Sequence, residues 1–221
     1  MDMNFEKIYE YTEFLLAGTK VTLSYTGYSM LFGFTLGVLL AFLKIQKYKP
    51  LQWLAFMYTS IFRGTPLLLQ LSLIYFATPQ LLDYDITAFQ AGIIAFSLNS
   101  AAYISETIRG GINAVDKGQA EAALSLGVPY RSMMMQIILP QAFKNTLPAL
   151  VNESINLLKD TSLLSVIGAM DLMRRAQVVG AKEYIYFEPL LFIGVVYYVL
   201  VMALTLLSNI LERRLRRSDQ H

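Results

Sequence analysis

Five stretches of about twenty mostly apolar residues recur along the chain, and a hydrocarbon core about 30 Å thick needs roughly that many helical residues to cross it. They cover residues 21–42, 51–76, 88–108, 148–168 and 186–211. Only 15% of the residues are charged, against about 25% in an average soluble domain. The apolar content is therefore concentrated in spans instead of being spread over a core. The expected fold class is an all-α membrane protein with five transmembrane helices, forming one membrane domain over residues 1–221. No internal repeat or low-complexity tract divides it.

The spans differ in character. The first carries Gly27, Gly33 and Gly37, small residues that permit close helix contact. The second is interrupted by Arg63-Gly64-Thr65-Pro66, where a helix should break, and the third contains Ser97, Asn99 and Ser100. Residues 110–146 are too polar and too punctuated to span. Residues 5–16 are acidic and partly amphipathic and are expected to lie on the surface. No cleaved signal peptide is visible, so the first span is expected to double as the targeting signal.

Positive charge sets the direction. With the N-terminus outside, the inner segments hold Lys44, Lys47, Lys49, Arg109, Lys117, Arg131, Lys144, Arg213, Arg214, Arg216 and Arg217. The outer segments hold Lys7, Lys20, Arg174, Arg175 and Lys182. The balance favours N-out, C-in, although the last three run against the rule. The absence of Cys removes disulfides and thiolate metal sites, and the single His, at position 221, leaves no histidine-based metal or acid–base centre. No nucleic-acid partner is expected; the lipid bilayer is.

Within 110–146, an Ala-rich helix is expected over 119–126. Gly127 is a natural helix stop, and Pro129 suits the first turn of a second helix over 130–138. The result is a helical hairpin facing the cytoplasm. Its spacing is specific: Glu121-Ala122-Ala123, three residues, Gly127, nine residues, Ile137, one residue, Leu139-Pro140. This resembles the EAA loop of ABC-importer permeases. The segments FRGTPLLLQLSLIYF (62–76) and AAYISETIRGGINAVDKGQAEAA (101–123) resemble the polar amino acid branch of that family. The likeness covers roughly residues 18–212.

That resemblance implies a subunit of the bacterial cytoplasmic membrane that moves substrate and performs no covalent chemistry. A second permease subunit, expected to be another copy of this chain, would complete a dimer. The loop would dock as a coupling helix, through Glu121, Ala122, Ala123, Gly127 and Pro140, on an ATP-binding subunit. An external amino-acid-binding protein would deliver the solute. No G-x-x-x-x-G-K-[ST] motif is present, so ATP and its magnesium are expected on the partner subunit and no cofactor on this chain. The inward direction of transport comes from the resemblance alone.

The fourth span is the least apolar, with Asn152, Glu153, Asn156, Lys159 and Asp160. A charge at mid-bilayer costs roughly 2.5–3.5 kcal/mol on insertion scales. On a helical wheel, Glu153 and Asp160 lie about 20° apart and Asn156 about 60° from Glu153, an acidic stripe with Lys159 at its edge. Three readings compete. One is interhelical salt bridging with Lys159 or Arg63. The second is a proton relay through Glu153 and Asp160, as in a secondary transporter. The third is a mid-membrane site for a cationic side chain, which within a polar amino acid importer favours arginine, lysine or histidine over glutamine or glutamate. The third is the expectation, with Arg63, Thr65, Asn99 and Ser97 as further substrate-binding residues and Gln70 and Tyr103 as secondary candidates. An equal alternative for Arg63 is pairing with an acid on a neighbouring span, while Glu106 and Arg109 read as a surface pair.

Overall fold

The computed structural model describes residues 6–217, with side chains described through residue 210. The two chain ends, including His221, and the side chains of Arg213, Arg214, Arg216 and Arg217, lie outside the described residues. The described part is 88% helical and contains no strand. Ten α-helices follow in order: α1 Glu6–Ile45, α2 Lys49–Gly64, α3 Leu67–Ser72, α4 Thr78–Leu82, α5 Ala88–Asn113, α6 Lys117–Ser125, α7 Tyr130–Met133, α8 Leu139–Asp160, α9 Leu172–Glu183 and α10 Phe187–Arg217.

α5 is the axis around which the others pack. Ala91, Ala95, Phe96, Ala101, Ala102, Ile104 and Ser105 are fully buried along it. Its start is fixed by Thr87, whose hydroxyl accepts from the Gln90 N–H while the Gln90 side chain accepts from the Thr87 N–H, a capping box. α1 lies directly against it. A Cβ added at Gly33 would sit 3.0 Å from Ser100 Cβ, and one at Gly37 would sit 2.7 and 2.8 Å from Ile104 Cγ2 and Cβ. These two glycines make the close approach expected of small residues in a membrane. Gly27 does not, for nothing lies within 4 Å of where its Cβ would be.

α1 and α10 are each long and apolar enough to cross a membrane, and the bent pair formed by α2 with residues 67–82 makes a third candidate. α5 and α8 do not pass on composition. Being enclosed by other helices, α5 meets protein where a lipid-facing helix meets acyl chains, and polar residues are tolerated on it.

Several expectations are corrected. Residues 6–16 do not form a separate surface segment. α1 is one helix of 40 residues, about 60 Å long, and Ile8 and Leu15 are buried against Leu172, Ala176, Val179 and Ile193. Residues 169–185 are not a plain loop but hold α9, capped by the fully buried Asp171, which accepts from the Arg174 and Met173 N–H groups. Burial pushes the Asp171 carboxyl up to about 6. The cations there that run against the charge rule are engaged by α1. Arg175 donates to the Phe14 carbonyl at 2.8 Å and stacks on its ring, and Lys182 lies 5.1 Å from the centre of the Tyr11 ring. Lys7 and the Tyr11 hydroxyl both bond Glu183, and Tyr11 above all holds that carboxylate below its usual range.

The segment 110–146 is helical at both ends, within α5 and α8, so no break separates it from its flanking spans. Its second helix does not stop at 138. It passes through a π turn, Met134–Ile138, straight into α8, with Pro140 in the first turn. The Leu139 N–H reaches back to the Met134 carbonyl, five residues away. A proline lacks the N–H that would continue the regular ladder, and the wider turn absorbs the misfit. Leu73–Ala77 repeats the device two residues ahead of Pro79. Residues 148–168 are not one helix either, since α8 ends at Asp160 and Thr161–Ile167 continues as a 3-10 turn to Gly168, at φ +79°.

The second stretch, 51–76, is two helices bent by 101°. Pro66 removes an N–H and drives Thr65 into extended backbone, φ −123° and ψ 147°. The freed carbonyls find side chains. The Gln70 amide donates to Phe62 O at 2.8 Å, Thr65 O at 3.1 Å and Thr65 Oγ1 at 2.9 Å. Asn99 on α5 donates to Phe62 O at 3.2 Å and to Gln70 Oε1 at 3.0 Å. This clamp holds the bend against the central helix.

Two outcomes test this account by thermal unfolding of the purified protein. Gly37→Ala should destabilise it by about 1–3 kcal/mol through overpacking against Ile104, while Gly27→Ala should be neutral; equal effects would discount the close contact. Gln70→Leu strands the Thr65 carbonyl, leaves Phe62 O to Asn99 alone, and should cost about 1–3 kcal/mol. An unchanged midpoint would mean that water, not Gln70, satisfies the bend.

Candidate functional site

Beside the bend lies a cavity of about 390 Å³ lined by Thr65, Pro66 and Leu67 from the broken helix, Asn99 and Tyr103 from α5, and Glu153, Asn156, Lys159 and Asp160 from α8. Three separate stretches of sequence converge on it. Pro66 opens the wall, α5 supplies the buried Asn99 amide and the exposed Tyr103 phenol, and α8, with Pro148 more than a turn ahead of Glu153, stays helical through Asp160. Residues 153, 156 and 160 thus fall on one side of it. Five of the residues singled out from the sequence are brought together here: Thr65, Asn99, Glu153, Asn156 and Asp160.

Two are not. Ser97 is buried at 7% exposure against α1, with Gly33 beside its carbonyl and no partner for its hydroxyl. Arg63 lies in a neighbouring cavity and stacks on Tyr103, its guanidinium carbon 5.3 Å from the ring centre. Tyr103 and Lys159 line the site, although the wheel puts Lys159 only at the edge of the acidic stripe. Wheel angles measure Cα directions, and a long flexible side chain at the rim can still swing into a cavity.

The cavity carries two carboxylates against one ammonium. Among the described residues the ion pairs are Lys7–Glu183, Lys44–Glu106 and Arg109–Glu106, so neither Glu153 nor Asp160 is held in one. Glu106 is not the simple surface pair expected, because Lys44, whose side chain is fully buried, reaches it from α1 at 2.6 Å. Lys44 is accordingly part of the helix packing and not a loop cation. Asn99, buried at 9% exposure, splits its duty between the cavity wall and the clamp on Phe62. Gln70, its partner there, acts on the backbone of the bend and does not line the cavity; its position four residues after Pro66 is the sequence signal for that role.

A contrasting apolar groove of about 200 Å³ runs between α1, α5 and α8, lined among others by Phe34, Val38, Ile108 and Phe143. It offers a charged solute nothing.

The segment carrying the EAA-like spacing forms its own small core. Ala123 is buried at 4% exposure with Val115, Met133, Ile138 and Ala142, while Glu121 and Ala122 are exposed. α6 begins on Asp116, which accepts from the Gly118 N–H at 2.6 Å, and is followed by Gly127 at φ +73°. With nothing within 4 Å of its missing Cβ, Gly127 is demanded by the backbone angle alone. Pro140 lies inside the start of α8, away from this turn. Leu124, Leu126 and Tyr130 stand exposed at 53%, 83% and 61% around the hairpin, an apolar patch on an otherwise polar segment.

Known proteins give these features a context. The arginine transport system permease protein ArtQ of Bacillus subtilis (strain 168) is 50% identical over 219 residues, covering 99% of this chain and all of that one. A putative glutamine transport system permease protein GlnP of Rickettsia felis is 51% identical over 209 residues, covering 95% of this chain and 96% of that one. The crystal structure of an amino acid ABC transporter with histidines contains a chain that superposes with a TM-score of 0.93 at 42% identity, covering 97% of this chain and all of that one. Residues 33–217 match the family described as the binding-protein-dependent transport system inner membrane component. The chain, with its cavity at a broken helix and its exposed helical hairpin, belongs to that family of transport permeases.

Proposed function

We propose that this chain is the permease subunit of an ATP-driven importer of cationic amino acids, arginine first among them. The coarser part stands on the family: the chain is a transport component and not an enzyme, and it works with an ATP-binding subunit and a substrate-binding protein. The finer part is carried by one observation, the cavity in which Glu153 and Asp160 stand unpaired beside an opened helix. A carboxylate facing a guanidinium forms paired, charge-assisted bonds. A translocated cation and cavity water replace the solvation that lipid removes from these acids. Asn156, Thr65 and Asn99 supply neutral hydrogen-bonding groups around it.

The remaining parts follow from the same reading. Residues 1–221 form one membrane domain whose helices cross the bacterial cytoplasmic membrane five times, N-terminus outside and C-terminus inside, paired with a second copy. The hairpin around Glu121, Ala122, Ala123 and Gly127, joined to α8 at Pro140, meets the ATP-binding subunit through its exposed apolar residues. ATP and magnesium act on that subunit.

Two measurements test this. In proteoliposomes holding the complete transporter, Asp160→Asn and Glu153→Gln should each slow arginine and lysine import per assembled complex by roughly ten- to a hundred-fold, the worth of one charge-assisted bond. Glutamine import at wild-type arginine rates would instead favour the neutral substrate, and unaltered arginine import in the double variant would remove the site. The chain lacks native Cys, so single cysteines report orientation. Those at Leu81 and Tyr184, exposed at 79% and 91%, should react with an impermeant reagent from outside, and those at Lys47 and Lys117 should not. The reverse pattern would invert the topology.

A further inference from the structure

A second cavity of about 390 Å³ adjoins the first, lined by Phe56, Thr59, Ser60 and Arg63 of α2 and by Glu106 and Arg109 of α5. The two are offset along the same pair of helices. On α5 the first is lined at Asn99 and Tyr103 and the second at Glu106 and Arg109, one to two turns nearer the Asn113 end. Along the broken helix the first begins at Thr65, just past the end of α2, and the second lies at Arg63 and earlier. Tyr103 stands at the boundary, lining the first cavity and carrying the Arg63 guanidinium on its face.

Their charges are opposite. The first holds two carboxylates and one ammonium. The second holds Arg63, Arg109 and Glu106, and both oxygens of Glu106 are already engaged. Its Oε1 accepts from Lys44 at 2.6 Å, and its Oε2 accepts from Arg109 Nε at 3.0 Å and Nη2 at 2.6 Å. Three cations thus surround one carboxylate, and no described acid pairs with Arg63. A cation placed over an aromatic ring spends none of its hydrogen bonds on a carboxylate, so the guanidinium fork of Arg63 stays available to match one. An unpaired arginine within a helix of this kind needs an anion or water opposite it.

We propose that Arg63, supported by Arg109, forms a station for the α-carboxylate of the transported amino acid, set beyond the acidic cavity toward the Asn113 end of α5. The polarity of the two cavities repeats that of the solute, a cation at one end and a carboxylate at the other. Thr59 and Ser60 place hydroxyls at the same wall. The station rests on the assignment of Glu153 and Asp160 to the cationic end of the solute.

The test compares L-arginine with agmatine, which is arginine without its carboxyl group, binding to the detergent-purified complex of this chain with its ATP-binding subunit. Arg63→Gln should weaken arginine binding at least about tenfold, the loss of a charge-assisted bond, and leave agmatine unaffected. Arg63→Lys should recover part of the arginine affinity. Equal loss for both ligands would make Arg63 a packing residue, and no loss for either would leave it without a role in binding; both overturn the station. If added phosphatidylglycerol abolishes the difference between the ligands, a lipid phosphate occupies the position and the proposal also falls. The Glu153→Gln/Asp160→Asn double variant should weaken both ligands, since both carry the guanidinium. If it weakens neither, the acidic site is refuted, while the arginine-to-agmatine comparison in Arg63→Gln still decides the station.

Discussion

A helix as polar as α5 persists in a membrane protein because α1 can lie almost in backbone contact with it. Gly33 and Gly37 allow that approach at Ser97, Ser100 and Ile104, and most of the remaining circumference of α5 is covered by α8 and the bent α2–α3 pair. Enclosure removes the lipid-solvation cost that would otherwise exclude Ser97, Asn99, Ser100 and Ser105. Once α5 is protein-facing, Asn99 is available to hold the carbonyls freed at Pro66, and the bend it holds becomes one wall of the polar cavity. The site depends on the packing, and the packing depends on two missing side chains.

Much of this architecture is legible in the sequence. Helical class, the break at Thr65-Pro66, the turn at Gly127 and the stop at Gly168 follow from local chemistry, because proline and positive-φ glycine act on the backbone wherever they occur. Longer-range features are hidden. Nothing local shows that residues 6–16 prolong α1, because their apolar positions are partnered by α9, a helix more than 150 residues away. α9 itself carries signs, an Asp171 cap followed by Leu172, Ala176 and Val179 at helical spacing, that an expectation of a loop between two spans obscures. The π turns ahead of Pro79 and Pro140 escape because proline signals an interruption without saying whether the chain stops or merely widens.

The same division applies to the candidate site. Glu153, Asn156 and Asp160 share one helix, so a wheel suffices to group them. Thr65 and Asn99 join them because each sits where its own span is irregular or polar. Arg63 sits only two residues from Thr65 yet falls on the other side of Tyr103, since the two residues point in different directions from a helix that ends between them. Ser97 is separated from Asn99 for a simpler reason, since residues two apart on the unbroken α5 lie about 160° from one another around the helix. Lys44 resembles a loop cation by position and is a buried partner of Glu106, a difference that depends on where α1 ends.

α8 links two regions that the sequence treats as separate. It stays helical from Leu139 to Asp160, through the interior Pro148, a rod of about 33 Å with the π turn and the Gly127 hairpin at one end and Glu153, Asn156 and Asp160 along the far half. Such a rod behaves as a lever. Tilted by about 5° at its hairpin end, it carries the Asp160 end sideways by about 3 Å, close to the length of one hydrogen bond. A displacement too small to remodel the hairpin is therefore large enough to break or make every polar contact at the cavity wall.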